Sequence, residues 1–316
     1  MKKIRIVIIT QGLSFIVKPM LNSGDEVVGI VESASRNYNP VIRASCMEKL
    51  KTIYHRLCGI DSLEQFAKRQ HVPYVMLDKT NHEQVAEVVR KWQPDLIVVY
   101  SMSQLLRQSI FSIPRLGTIN VHPSKLPAYR GPNPTLWMYY DMELNPGVTV
   151  HYIDEWEDTG DIIKQGTFAM TLGMSMEKRQ VKEHELALRL LAEAIEQLKS
   201  NTAKPCKQPK ESPTPRARNI TVAEAADFIP WKDWNVERVW HFLRGEGDIY
   251  PFIQQPKGWR KGQKWLYESY VYFNEVHKAG SIYEENSKYY LACKDGRIEL
   301  VRDFSWKRFL KQCMSR

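Results

Sequence analysis

Three common signatures are missing from these 316 residues. No C-x-x-C pair occurs, and the five cysteines, Cys46, Cys58, Cys206, Cys293 and Cys313, have no metal-ligand spacing. That excludes a disulfide scaffold or a zinc ribbon and fits a reduced, cytoplasmic setting with no metal. No apolar run approaches the ~18 residues of a membrane span. The apolar start, Ile4 to Thr10, is broken by Arg5 and reads as a first strand, not a signal peptide. No G-x-G-x-x-G follows it, so the β-turn-α-β opening carries no dinucleotide fingerprint.

Charge is present but uneven. Residues 1–200 hold 24 Lys+Arg against 22 Asp+Glu, and residues 201–316 hold 21 against 14. The excess therefore sits in the C-terminal third. Such an excess suits a nucleic acid or nucleotide phosphates, or simply a soluble basic domain.

The order of elements predicts a fold. Ile4–Thr10, Glu26–Glu32, Val72–Leu77 and Leu96–Tyr100 are short apolar runs of the kind buried on both faces of a parallel sheet. Helical stretches alternate with them: Leu13–Leu21, Ser62–Gln70 with Asp61 and Glu64 as a capping box, and His82–Trp92 capped by Asn81. A basic loop and helix are expected over 33–60, and His71 and His82 are expected at the surface. Pro132–Met142 and Met176–Lys199 read as further helices. The class is α/β, with a doubly wound, mostly parallel sheet over residues 1–200. Residues 201–218 are rich in Pro, Lys and Arg, a linker composition. From 219 to 316, short strands and the turn at Lys294–Arg297 predict a small β-barrel domain. Its aromatics Trp265, Tyr267 and Tyr270 suit stacking on bases, though such residues are more often core.

The densest chemistry lies between Gly117 and Ile163. The strand G-T-I-N-V-H carries Asn120 and His122 two apart, hence on one face. Pro123, Pro127, Gly131, Pro132 and Pro134 end the ladder and fix a loop. A second strand, Gly147–Ile153, leads into Asp158-Thr159-Gly160-Asp161. An amide and an imidazole can donate to an oxyanion, and a carboxylate can orient the imidazole or accept a proton. The alternative is a strand with incidental polar residues.

These residues carry a resemblance. Asn120, His122, Ser124, Leu126, Pro127, Tyr129, Arg130 and Gly131, then Gly147–Thr149, then Asp158 with Gly160, are similar to the signature of the 10-formyltetrahydrofolate-dependent formyltransferases. It covers roughly residues 1–200. More weakly, I-P-W at 229, F-L-R-G at 242 and D-G-R-I-E-L at 295 resemble the oligonucleotide-fold domain of methionyl-tRNA and amino-sugar members. The resemblance implies formyl transfer from 10-formyltetrahydrofolate to a primary amine, with Asn120, His122 and Asp158 catalytic and no metal. It assigns Leu106, Ile153, Asp154 and Asp158 to the folate pocket. Ser124, Arg130 and His151 fall to the amine substrate. Methionyl-tRNA members carry a Gly- and Lys-rich loop where this chain has S-A-S-R-N-Y-N-P-V-I-R at 33–43. That departure, His151 and P-N-P at 132–134 favour a nucleotide-linked amino sugar as acceptor. Chain length and the basic C-terminal third favour tRNA. An RNA-binding or inactive relative is the third reading.

Overall fold

The computed structural model describes residues 3–35, 62–256, 262–304 and 306. Most of the basic stretch at 33–60 lies outside them, as does Asp61. The chain divides into two units.

The first unit comprises residues 1–134, 146–168 and 181–217. Its sheet has seven strands: β1 Arg5–Thr10, β2 Glu26–Ser33, β3 Tyr74–Leu77, β4 Leu96–Tyr100, β5 Thr118–His122, β6 Gly147–Tyr152 and β7 Ile162–Thr167. Their order is β3-β2-β1-β4-β5-β6-β7. The first five pair in parallel, while β5–β6 and β6–β7 pair antiparallel. The doubly wound, mostly parallel sheet expected from the sequence is the one observed. Alternation along β1 shows why the strands had to be apolar throughout. Ile6 and Ile8 enter a core on one side with Val98, Val121 and Leu190. Val7 and Ile9 enter a second core with Val85, Val89 and Ile110. Each such side chain contributes about 1.5–3 kcal/mol by leaving water.

Local signals were off by small steps. The first capping box is Ser62 with Gln65, one residue past the expected Asp61 and Glu64. Asn81 starts the helix His82–Trp92 but makes no cap hydrogen bond. Its amide instead bonds Asp78 N–H and Met76 O, fixing the preceding turn. His71 is exposed as expected, but His82 is buried, and burial pulls its pKa down. Strand β7 was not foreseen, because I-I-K-Q-G-T mixes polar residues and glycine into a short run.

The second unit comprises 135–145, 169–180 and 218–316. Its sheet is antiparallel, in the order β8-β11-β10-β9, from β8 Gln263–Tyr272, β9 Ile282–Glu285, β10 Lys288–Cys293 and β11 Gly296–Phe304. The small β domain expected at this end is therefore present. Two residues join β10 to β11 at the expected turn. Asn286 and Ser287, both at positive φ, join β9 to β10. Trp265 and Tyr267 are core, packed in one cluster with Phe242 and Trp234 of the helical layer. Leu136, Tyr139, Met170 and Met174 belong to the same cluster. Segments from before residue 200 thus complete the second unit's core, which a boundary at 200 did not anticipate. Residues 201–217, read as linker from composition, count with the first unit.

Candidate active site

The site grows from the junction of β5 and β6. Antiparallel register sets Asn120 directly opposite His151, and His122 opposite Thr149. Opposed residues share a face, so the amide and both imidazoles gather on one side. Asn120 Nδ2 lies 3.2 Å from His151 Nε2, and the two imidazole centroids are 6.3 Å apart. His151 Nδ1 is 2.7 Å from Tyr152 O. A proton on Nδ1 satisfies that carbonyl and leaves Nε2 to accept from Asn120.

Asp158 completes the group from the loop after β6. Its Oδ1 accepts from Asn120 Nδ2 at 3.4 Å and lies 3.6 Å from His151 Nε2. Its Oδ2 accepts from Gly131 N–H at 2.9 Å and lies 3.5 Å from His122 Nδ1. The other ring nitrogen of His122, Nε2, is 3.1 Å from Tyr129 O. Both nitrogens of His122 thus face acceptors. Burial raises the Asp158 carboxyl, but His122, His151 and the Gly131 N–H outweigh it and hold it well below the usual carboxylate range. Burial pulls His122 down from its ordinary value, with Asp158 working against that. The protonated ring satisfies both neighbours and the neutral ring only one, whereas burial favours the neutral form.

The surrounding backbone is held in uncommon conformations. Asp158 and Tyr129 have φ of 55° and 60°, a left-handed region that side chains disfavour by ~1–2 kcal/mol. Gly131, at φ 125°, leaves no room for a Cβ, which would lie 2.8 Å from Ala217 O. At Gly160 a Cβ would lie 1.9 Å from Tyr152 O. The two glycines of the sequence pattern are therefore close-approach positions.

Sequence reasoning placed Asn120, His122 and Asp158 together, and the structure does bring them together. His151 joins them, almost wholly buried, so it works against Asn120 and Asp158 instead of lying open to a substrate. Ser124 and Arg130 also differ from expectation. Ser124 is fully buried and donates to Ala128 O, closing its own loop. The Arg130 guanidinium donates to Gln208 Oε1, Pro209 O and Lys210 O, which commits it to the chain. Leu106 and Ile153 pack in one apolar cluster, while neighbouring Leu105 is exposed. Asp154 accepts from Trp156 N–H and Thr159 Oγ1, shaping the loop that carries Asp158. Sequence reasoning missed three supports. Thr149 bonds Ser124 O and Leu126 N–H, Gln165 bonds Leu126 O, and Gln208 bonds the Asp158 loop. Only Thr149 had a signal, as the last residue of G-V-T. Among the described residues, no group of three or more His, Cys, Asp or Glu is placed to hold a metal. Nor is any described helix long and apolar enough to cross a membrane.

An amide, two buried imidazoles and a carboxylate beside parallel-strand ends are the equipment of an α/β group-transfer enzyme. Residues 58–195 match the formyl transferase family, and the chain is a formyltransferase. The methionyl-tRNA formyltransferase of Bacteroides thetaiotaomicron is 26% identical over 252 residues, covering 76% of this chain and 75% of that protein. Among solved structures, the sugar 3N-formyl transferase WlaRD, with dTDP and 5-N-formyl-THF, aligns with a TM-score of 0.61 at 16% identity. That alignment covers 96% of this chain and 98% of WlaRD. An N-formyltransferase from Helicobacter canadensis, with folinic acid and dTDP-3-aminofucose, aligns with a TM-score of 0.61 at 17% identity. It covers 96% of this chain and all of that one. At these identities the two structures speak for the fold.

Proposed function

We propose that the protein moves the formyl group of 10-formyltetrahydrofolate to a primary amine on a nucleotide-linked amino sugar. The observation that carries the chemistry is Asp158 held between His122 and His151, with Asn120 alongside. The neutral amine attacks the formyl carbon and the carbonyl oxygen becomes an oxyanion. Collapse breaks the bond to the folate nitrogen, which leaves with a proton, and the amine gives one up. The products are tetrahydrofolate and the N-formyl amine.

In this scheme Asn120 donates to the oxyanion, exchanging one of its bonds to His151 or Asp158 for it. His122 donates as well and carries the amine's proton. Asp158 holds His122 oriented and stabilises its charge. One oxyanion donor is worth ~3 kcal/mol in the transition state, and holding the two reactants together supplies much of the remainder. Leu106, Ile153 and Asp154 are assigned to the folate side, Asp154 through the loop it shapes.

For the acceptor, the supporting observation is charge. Over the described residues 218–256 and 262–304 there are ten Lys and Arg against thirteen Asp and Glu. These described residues are therefore mildly acidic, a poor surface for a polyanion. Two similar folds were solved with dTDP or a dTDP-sugar. A second reading, methionyl-tRNA as acceptor, is favoured by the long match to a methionyl-tRNA formyltransferase.

The test mixes the protein with 10-formyltetrahydrofolate and either a panel of amino-sugar nucleotides or methionyl-tRNA, and follows tetrahydrofolate release. Turnover with a panel member is expected. Turnover with methionyl-tRNA alone would replace the first reading by the second.

A further inference from the structure

Residues 206–217 lie across both loops that build the site. Cys206 pairs with Ile162 through two backbone hydrogen bonds of 2.8 Å. Gln208 Nε2 donates to Asp158 O at 3.1 Å and to Gly160 O at 2.7 Å. Its Oε1 accepts from Arg130 Nη2 at 2.9 Å and Nε at 3.3 Å. Thr214 Oγ1 accepts from Tyr129 N–H at 2.7 Å, and Ala217 N–H donates to Arg130 O at 2.7 Å. Arg216 forms an ion pair with Glu157, next to Asp158.

Two of these contacts fall on Asp158 and Tyr129, both held at positive φ. Tyr129 and Asp158 are also the residues that face the two nitrogens of His122. A left-handed non-glycine residue persists only when its surroundings over-determine it. At Asp158 the over-determining group is Gln208. Its amide orientation has one solution. The oxygen meets a guanidinium and the nitrogen meets two carbonyls, so the reverse would set oxygen against oxygen.

We propose that Gln208 is a positioning residue that acts through Asp158. Oriented by Arg130, its amide ties the Asp158 and Gly160 carbonyls so that the carboxylate stays against His122 and His151. The consequence for catalysis rests on the role proposed above for the His122–Asp158 pair. No other side-chain type supplies two donors and an acceptor in one planar group at this reach except Asn, which is a methylene shorter.

The experiment uses the full-length protein with Gln208→Met, which keeps the length and loses the hydrogen bonds, and Gln208→Asn, which keeps the amide. The His122 ring resonance is titrated by NMR without substrate, and kcat and KM are measured separately. The carboxylate drifting from His122 removes the charge that favours its protonation. The His122 midpoint is therefore expected to fall in both variants, more in Gln208→Met. In that variant kcat is expected to fall at least tenfold, with KM for the formyl donor within threefold. Gln208→Asn keeps the test available if Gln208→Met does not fold. A midpoint unmoved in the folded variants overturns the proposal, whatever happens to turnover. A shifted midpoint with unchanged kcat supports the positioning role and instead removes Asp158 from the chemistry.

Discussion

Asp158 is where most of the site's electrostatics meets. Its two oxygens face Asn120, His151, His122 and the Gly131 N–H. Replacing it by Asn keeps the shape but removes the charge that faces His122. Turnover of Asp158→Asn, and of His122→Asn, is expected to fall at least ~100-fold, since each acts on the transition state. Folate binding should survive in both, measured by fluorescence titration. Near-native turnover in either variant would remove that residue from the mechanism. These two residues and Asn120 were legible in the sequence because the chemistry fixes both residue type and spacing along strands. What was not legible was who supports them. Gln208 stands fifty residues beyond Asp158, in a stretch with no periodicity, and nothing in local sequence says where its amide points. Ser124 and Arg130, expected at the amine substrate, bond to the chain itself for the complementary reason. Polar residues in a signature are as readily there to close a loop as to meet a substrate, and only burial and hydrogen bonding tell the two apart.

At the scale of elements, the helix Val236–Glu246 shows the limit of pattern reading. It lays Val236, Val239, Phe242 and Leu243 in the second unit's core, an apolar stripe at helical spacing. The same helix also buries two titratable groups, His241 and Glu246. His241 Nδ1 accepts from Gly173 N–H, which requires a neutral ring, and burial pushes its pKa down to about 4. Burial pushes Glu246 up to about 8, although the charge of Arg179 opposes it. The signs are opposite. Unfolded His241 takes a proton below its ordinary 6.5 while the folded form resists until about 4, so stability is lost as pH falls through that window. Folded Glu246 stays protonated where the unfolded group, at 4.5, ionises. Its contribution is whole below 4.5 and is lost as pH rises towards 8. Glu246→Gln should flatten the alkaline side of a plot of Tm against pH, an effect on the order of a few kcal/mol. Parallel curves for the variant and the parent would show that Glu246 ionises freely in the folded protein. Strands β1 to β4 were equally legible, being apolar on both faces. The caps and β7 were not, because neighbouring Ser, Asp and Asn compete for one cap and mixed hexapeptides fit several structures.

For the whole molecule, the question is where the net charge of +9 resides. The sequence totals put the excess in residues 201–316, and the natural inference was a basic domain. The structure redistributes it. The described part of residues 218–304 is mildly acidic, so the positive excess belongs to 201–217, 257–261 and 305–316. In 201–217 it is carried by Lys204, Lys207, Lys210 and Arg216, of which Arg216 is already paired with Glu157. A tRNA bound across such a molecule would find few phosphate partners on the folded sheet. Ionic strength separates the two acceptors quantitatively. Methionyl-tRNA held through ~5 phosphate contacts would lose affinity with a log–log slope against salt of about −4. A nucleotide sugar, with two phosphates, should give a slope no steeper than about −2. Measured as kcat/KM at subsaturating acceptor over a range of salt, the shallow slope is expected, with tRNA binding no tighter than a generic basic protein shows. Efficient methionyl-tRNA formylation on the steep slope would place the recognition surface in the three basic runs. It would leave the chemistry assigned to Asn120, His122 and Asp158 untouched, because the formyl carbon and the attacking nitrogen are the same in both reactions.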